Sequence, residues 1–207
     1  MGRYIGPKNK IARRFGVNLG LKTNATKVAR RLSKRPGVHG LKKTRRTTSN
    51  YGAQLLEKQK AKYVYGLRER QFARYVAEAS RREGDSSVNL VQLLETRLDN
   101  VVYRLGFATT RAQARQFVSH GMFLVNDKKM NIPSYHVILG DIIRLKPNKA
   151  DKGPFAQIDE QLANRDIPGW LSLDIKTKIA KVLNAPRPED GENAIDVKLI
   201  IEFYSSH

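Results

Sequence analysis

Four arginines, Arg97, Arg104, Arg111 and Arg115, fall in one short stretch of the chain. A guanidinium is a planar fork that can donate two parallel hydrogen bonds to a single phosphate or carboxylate, so this spacing suits the recognition of anions. Bond-breaking chemistry would need more. Asp99 lies among these arginines, but no second carboxylate or nucleophile is placed to work with it. It reads as a structural partner that orients an arginine or caps a backbone group. His120, Lys128 and Lys129 follow the group, and Arg70, Arg74 and Arg81 precede it. The first residues add Arg3, Lys8, Lys10, Arg13 and Arg14, then the run Lys42, Lys43, Arg45 and Arg46. For the four arginines the competing reading is a pair with Glu95, Asp99 or Asp127, and for Arg70, Arg74 and Arg81 it is a solvated charged face.

The distribution of charge decides between those readings. The 207 residues carry a net charge of +20. Residues 1–56 contain fifteen Lys or Arg and no acid; residues 57–150 carry a net +8, and residues 151–207 a net −3. Self-repulsion on that scale calls for a polyanionic partner, and the sorting gives it a preferred side. The acid-richer tail is then the side that does not face the polyanion. There is no cysteine, which excludes disulfides and thiolate zinc sites and agrees with a cytoplasmic location. His39 has no companion ligands, so neither metal nor other cofactor is expected. No apolar run approaches the roughly 18–20 residues of a membrane span. The basic start lacks a signal-like apolar stretch, and Pro7, Gly16 and Gly20 interrupt the amphipathic helix of a transit peptide.

The elements that must carry these cations can be read from periodicity. Residues 1–50 mix Gly, Pro, Lys, Arg and Thr without a sustained apolar stripe. They read as an arm that is loose alone and orders on RNA, with helical turns around 26–33. Helices are expected over 53–62 and 67–82. On the second, Phe72, Tyr75, Val76 and Ala79 share one arc, with Arg70, Arg74 and Arg81 opposite. Asn89 is expected to cap a helix reaching Leu105, with Gly106 as its stop. Thr110 with Gln113 forms a capping box for a helix ending at Gly121. The period then shortens. Residues 122–126, 137–139 and 141–145 read as short strands, with a turn over 126–129. Beyond a connector at 146–154, the pattern predicts a helix over 174–183 and a strand over 195–204. Tyr51, Tyr63, Tyr65, Phe72 and Tyr75 could stack on bases, but core packing is the stronger expectation, as it is for Trp170.

The stretch Arg97-Leu98-Asp99-Asn100-Val101-Val102-Tyr103-Arg104-Leu105-Gly106-Phe107 resembles the opening of the S-four RNA-binding module. Thr110-Arg111, Ala114-Arg115, Gly121, Val125-Asn126 and Gly140-Asp141-Ile142 continue the likeness. Arg3-Tyr4-Ile5-Gly6-Pro7-Lys8, Arg13-Arg14-Phe15-Gly16, Tyr51-Gly52, Glu69-Arg70-Gln71-Phe72, Pro168-Gly169-Trp170-Leu171 and Ile201-Glu202-Phe203-Tyr204 resemble the S-four family of bacterial small-subunit ribosomal proteins. The likeness runs in order along nearly the whole chain. Many family members hold zinc through cysteines in the arm; this sequence resembles the cysteine-free branch.

The resemblance implies an α+β protein: a basic arm (1–50), a helical domain (51–89 with 151–207), and an inserted RNA-binding domain (90–150) of two helices packed on a small antiparallel sheet. It implies a ribosomal location, binding to the 5′ domain of 16S-type ribosomal RNA early in assembly, and influence on decoding accuracy. It also implies contact with mRNA, for which Lys42, Lys43, Arg45 and Arg46 are the candidates, and with the third and fifth small-subunit proteins. Two other classes compete. An RNA-modifying enzyme can carry such a module, but the rest of the chain shows no catalytic constellation. A DNA-binding regulator could use 90–105 and 110–120 as a helix-turn-helix; competition by duplex DNA separates it from the RNA-binding reading, because a regulator should prefer the duplex.

Overall fold

The computed structural model describes residues 4–41, 49–149, 153–156, 158–163 and 165–206. The chain forms two compact units, Met1–Leu90 with Glu192–His207, and Val91–Gly191. Arg3, Lys42, Lys43, Arg45 and Arg46 lie outside the described residues.

The first unit is helical. Two short helices, α1 (Lys8–Phe15) and α2 (Ala25–Leu32), pack together within the arm. Gly16, at φ +69°, ends α1 in the left-handed region and donates its N–H to the Ala12 carbonyl. The Asn24 side chain accepts from the Lys27 N–H at 2.8 Å and starts α2. Arg13 donates to the carbonyls of Lys34 (2.6 Å) and Arg35 (3.0 Å), closing the loop between them. Over its described residues the arm packs around buried Ile11, Leu19 and Val28. Tyr4 and Phe15 also lie against Tyr63, ring centroids 5.7 and 6.1 Å away.

Helices α3 (Asn50–Val64) and α4 (Glu69–Arg81) follow as expected, each somewhat shifted at its ends. Phe72, Tyr75, Val76 and Ala79 are buried, and Arg70, Arg74 and Arg81 are exposed, as the spacing dictates. Residues 195–204 are not a strand but belong mostly to a helix, α9 (Val197–Ser205). The Asp196 side chain caps it by accepting from the N–H groups of Lys198 and Leu199, and Ile200 and Phe203 point inward three residues apart. The run of β-branched residues suggested a strand, and the cap with its helical burial decided otherwise.

The expected single helix over 89–105 is broken. Helix α5 (Ser86–Glu95) stops, Thr96 turns, Arg97 is extended (φ −64°, ψ 133°), and α6 (Leu98–Arg104) begins after Arg97 as its cap. The break bonds to a neighbouring segment: Val137 N–H to the Thr96 carbonyl, and Leu98 N–H to the Tyr135 carbonyl. The expected strand at 137–139 reduces to one bridge, His136 with Arg97. Asn89 does not cap a helix start. It is buried and donates to the carbonyls of Ala79, Arg82 and Glu83, closing the end of α4.

The second unit contains α6, α7 (Arg111–Ser119), α8 (Ile158–Ala163) and a five-stranded antiparallel sheet. The strands are β1 (Phe123–Val125), β2 (Lys128–Met130), β3 (Ile142–Leu145), β4 (Leu171–Asp174) and β5 (Ile179–Val182), in the order β2-β1-β3-β5-β4. Asn126 and Asp127 both have positive φ (48° and 63°) and make the two-residue turn of the first hairpin. Lys128 and Lys129, read as turn residues, are therefore strand residues. The region 174–183 is not a helix but the end of β4 and strand β5. Asp174 accepts from the Lys176 N–H and the Thr177 hydroxyl, which turns the chain, and Lys178 has φ +54°.

One core joins these elements. Leu98, Val101, Val102, Leu105, Phe117, Phe123 and Ile143 share it with Phe155, Ile158, Leu162, Trp170, Leu171, Ala180 and Val182. Each Val, Leu, Ile or Phe among them contributes about 1.5–3 kcal/mol on burial. The expected placement of 151–191 with the helical domain is corrected by this packing. Those residues build the second half of the sheet and belong to Val91–Gly191; Glu192–His207 alone returns to the helical unit.

Candidate nucleic-acid interface

The break between α5 and α6 builds the centre of the site. It carries Arg97 into the interior, where the side chain has 0% exposure. Arg97 donates from Nε to Asp99 Oδ1 (3.1 Å) and from Nη2 to Oδ2 (2.6 Å). Arg115, one helix away on α7, donates to the same Oδ2 at 3.2 Å. Glu95, also fully buried, accepts a fork from Arg104, Nε to Oε2 at 2.8 Å and Nη2 to Oε1 at 3.0 Å. Arg104 Nη2 also donates to the Asp190 carbonyl at 2.7 Å.

Asn100 links the two pairs to α7. Its amide donates to the Glu95 carboxylate (2.7 Å), and its oxygen accepts from Arg111 Nε (2.7 Å). The Arg111 guanidinium lies over the Tyr103 ring, 4.4 Å from its centroid. The Thr110 hydroxyl accepts from the Gln113 N–H (3.3 Å) and starts α7. The Gln113 side chain reaches one residue further back than expected, accepting from the Thr109 N–H and hydroxyl.

Two carboxylates thus hold three arginines, and Asn100 holds the fourth, so the group of four arginines and two carboxylates carries an excess of two positive charges. Buried ions are expensive unless they are paired and hydrogen-bonded, so this network has little freedom. Its partly exposed members are Arg104, Arg111 and Arg115. Arg97 differs from the other three expected contacts: its side chain is sealed inside the protein, where it holds Asp99. Asp99 has the orienting role read from the sequence.

His120, Lys128 and Lys129 are exposed. The Lys129 side chain passes over Gly121, the residue after His120, whose φ is +62°: a Cβ there would lie 2.6 Å from Lys129 Cε. In the helical unit Arg70, Arg74, Arg81, Lys10 and Arg14 are exposed, Lys8 is half-buried, and Arg13 is engaged with the arm's own carbonyls. The sequence reading passed over the exposed cations of α2, Lys27, Arg30 and Arg31; its clue was the acid-free composition of the arm. It also passed over Arg144, paired with Asp127 at 2.8 Å, and Arg165.

A separate polar cluster ties the helical unit together. Glu69 accepts from Lys58 (2.9 Å), Lys62 (2.9 Å) and the Tyr204 hydroxyl (2.7 Å). Burial alone would raise its pKa, but the bonds from Lys62, Tyr204 and Lys58 and the charge of Lys62 win and lower it to about 2. Burial, with Glu69 as acceptor, pushes the Tyr204 phenol up. This cluster is structural. Among the described residues no group of three His, Asp or Glu is placed to hold a metal ion, and no helix is long and apolar enough to cross a membrane.

The fold and the arginine network are those of an RNA-binding module. Comparison with known families agrees: residues 3–95 match the ribosomal protein S4/S9 N-terminal domain, and residues 96–143 match the S4 domain. The chain is 50% identical over 210 residues to small ribosomal subunit protein uS4 of Roseiflexus castenholzii, covering 99% of this chain and 100% of that protein. It is 48% identical over 207 residues to that of Chloroflexus aurantiacus, with the same coverage. The match to the Aquifex aeolicus protein is 50% over 212 residues, covering 99% of each. The chain belongs to the uS4 family of small-subunit ribosomal proteins. It is accordingly a structural, rRNA-binding constituent of the cytoplasmic ribosome and not an enzyme.

Proposed function

We propose that the protein binds the 5′ domain of 16S-type ribosomal RNA as an early assembly protein, and that it contributes to the channel through which mRNA enters and to decoding accuracy. The observation that carries the RNA reading is the network on α6 and α7. Three arginines held by two buried carboxylates, with Arg111 held by Asn100, leave a fixed positive excess on a rigid support. Folded RNA hides its base edges in a deep groove, so phosphates and shape are what such a surface can recognise. Exposed His120, Lys128 and Lys129, and the arginine face of α4, add cations on ordered elements.

Filter binding to a 5′-domain fragment across a salt series, with duplex DNA as competitor, tests this. Tight binding that resists DNA and weakens steeply with salt is expected. Free displacement by duplex DNA would sink the reading in favour of a DNA-binding regulator.

Lys42, Lys43, Arg45 and Arg46 are the proposed mRNA-facing residues. Their joint replacement by alanine should slow passage of reconstituted ribosomes through structured mRNA; an unchanged rate would remove them from that role. The acid-rich residues 151–207 are proposed to face the third and fifth small-subunit proteins, on the grounds of their charge.

A further inference from the structure

The arginines that the sequence singles out in the module are committed within the protein. Arg97 and Arg115 bond to Asp99, Arg104 to Glu95, and Arg111 to Asn100. Arg165 differs. Its guanidinium lies against the Tyr103 ring, 4.8 Å from the centroid, and Arg111 occupies the same ring at 4.4 Å. The residue is half-buried, and among the described residues no carboxylate, carbonyl or hydroxyl accepts from its guanidinium.

Arg165 is nevertheless held in place. Ile158 and Leu162 bury α8 in the core, and the Gln161 amide donates to the Gly106 carbonyl at 2.6 Å. The Arg165 N–H bonds to the Leu162 carbonyl at 3.2 Å. Its aliphatic stem passes over Gly106: a Cβ at that position would lie 2.9 Å from Arg165 Cγ and 3.4 Å from Leu162 Cδ2. The turn after α6 and the segment after α8 are thus shaped to each other. The absent side chain at Gly106 leaves room for the stem.

A stacked guanidinium has already lost most of its side-chain freedom, and stacking leaves the in-plane N–H donors at its edge available. The ligand that fits such a fork beside a positively charged network is a phosphate oxygen pair. We propose that Arg165 binds a backbone phosphate of the ribosomal RNA, so that the RNA-binding face extends beyond residues 96–143 onto the segment that follows. This rests on the RNA-binding reading above and adds a residue and a region to it.

The test uses the full chain and the same 5′-domain fragment, with Arg165→Ala, Arg165→Lys and the exposed Arg187→Ala as a charge control. Emission from Trp170 confirms that each variant folds. Arg165→Ala should weaken binding and reduce the slope of log affinity against log salt by roughly 0.7–0.9, the contribution of one phosphate contact. Arg165→Lys should keep the slope and recover only part of the affinity, because a point charge lacks the fork. An unchanged slope for Arg165→Ala, with wild-type binding intact, overturns this inference alone. An equal loss from Arg187→Ala overturns it too, since net charge would then explain the effect. Wild-type protein that fails to bind the fragment sinks the RNA-binding reading itself.

Discussion

Arg97 and Asp99 illustrate how the charge of a site can be spent on shape. Both are almost fully buried, and each satisfies the other through two hydrogen bonds. Removing Arg97 leaves Asp99 buried with only the longer bond from Arg115: Arg97→Met should cost about 3 kcal/mol in urea unfolding followed by Trp170 emission. The double variant Arg97→Met with Asp99→Leu should recover much of that loss, because no fully buried ion is left and the remaining partner, Arg115, is partly exposed to water; equal losses for the single and double variants would refute this account. Glu69 makes a second case, in the helical unit. Its folded-state pKa is about 2, against an ordinary 4.5. The stability it supplies is present above pH 4.5 and disappears as pH falls towards 2. Comparing acid unfolding of wild type and Glu69→Gln should show a gap that narrows below pH 4.5; a gap constant from pH 7 to 2 would contradict the assignment.

At the level of elements, the capping side chains do what burial alone cannot. Asp196→Ala should destabilise the helical unit by about 1 kcal/mol in thermal unfolding, because α9 loses the acceptor for two of its first N–H groups. Gly106→Ala should act on the other unit. It forces a side chain onto φ +88° and against Arg165, so both its melting temperature and its RNA affinity should fall. Helix α4 and helix α7 were legible because each shows a helical stripe or a capping pair in its own residues. The hairpin over 171–182 was not, because its turn depends on Asp174 bonding to its neighbours rather than on glycine or proline. The break at residues 96–98 was illegible for another reason: its bonds go to residues 135–137, which no local window contains. The same break explains why the arginine motif was readable while the inward turn of Arg97 was not. Arg165 was hidden because its stacking partner lies more than sixty residues earlier in the chain.

For the whole molecule, charge and connectivity set the behaviour. With fifteen basic residues and no acid before residue 57, non-specific RNA binding should be strong at low salt and should collapse by about a thousandfold or more between 50 and 200 mM salt. A decline of less than tenfold over that range would argue against a multi-phosphate surface. The division of the chain adds something different. The unit Val91–Gly191 is one uninterrupted stretch, whereas the helical unit is assembled from Met1–Leu90 and Glu192–His207. During synthesis the continuous unit can therefore finish folding first. The helical unit must wait with part of its apolar surface uncovered until Ile200 and Phe203 emerge on α9 to cover it. A polypeptide stalled just before residue 192 would be half native and half sticky, a natural substrate for chaperones and proteases.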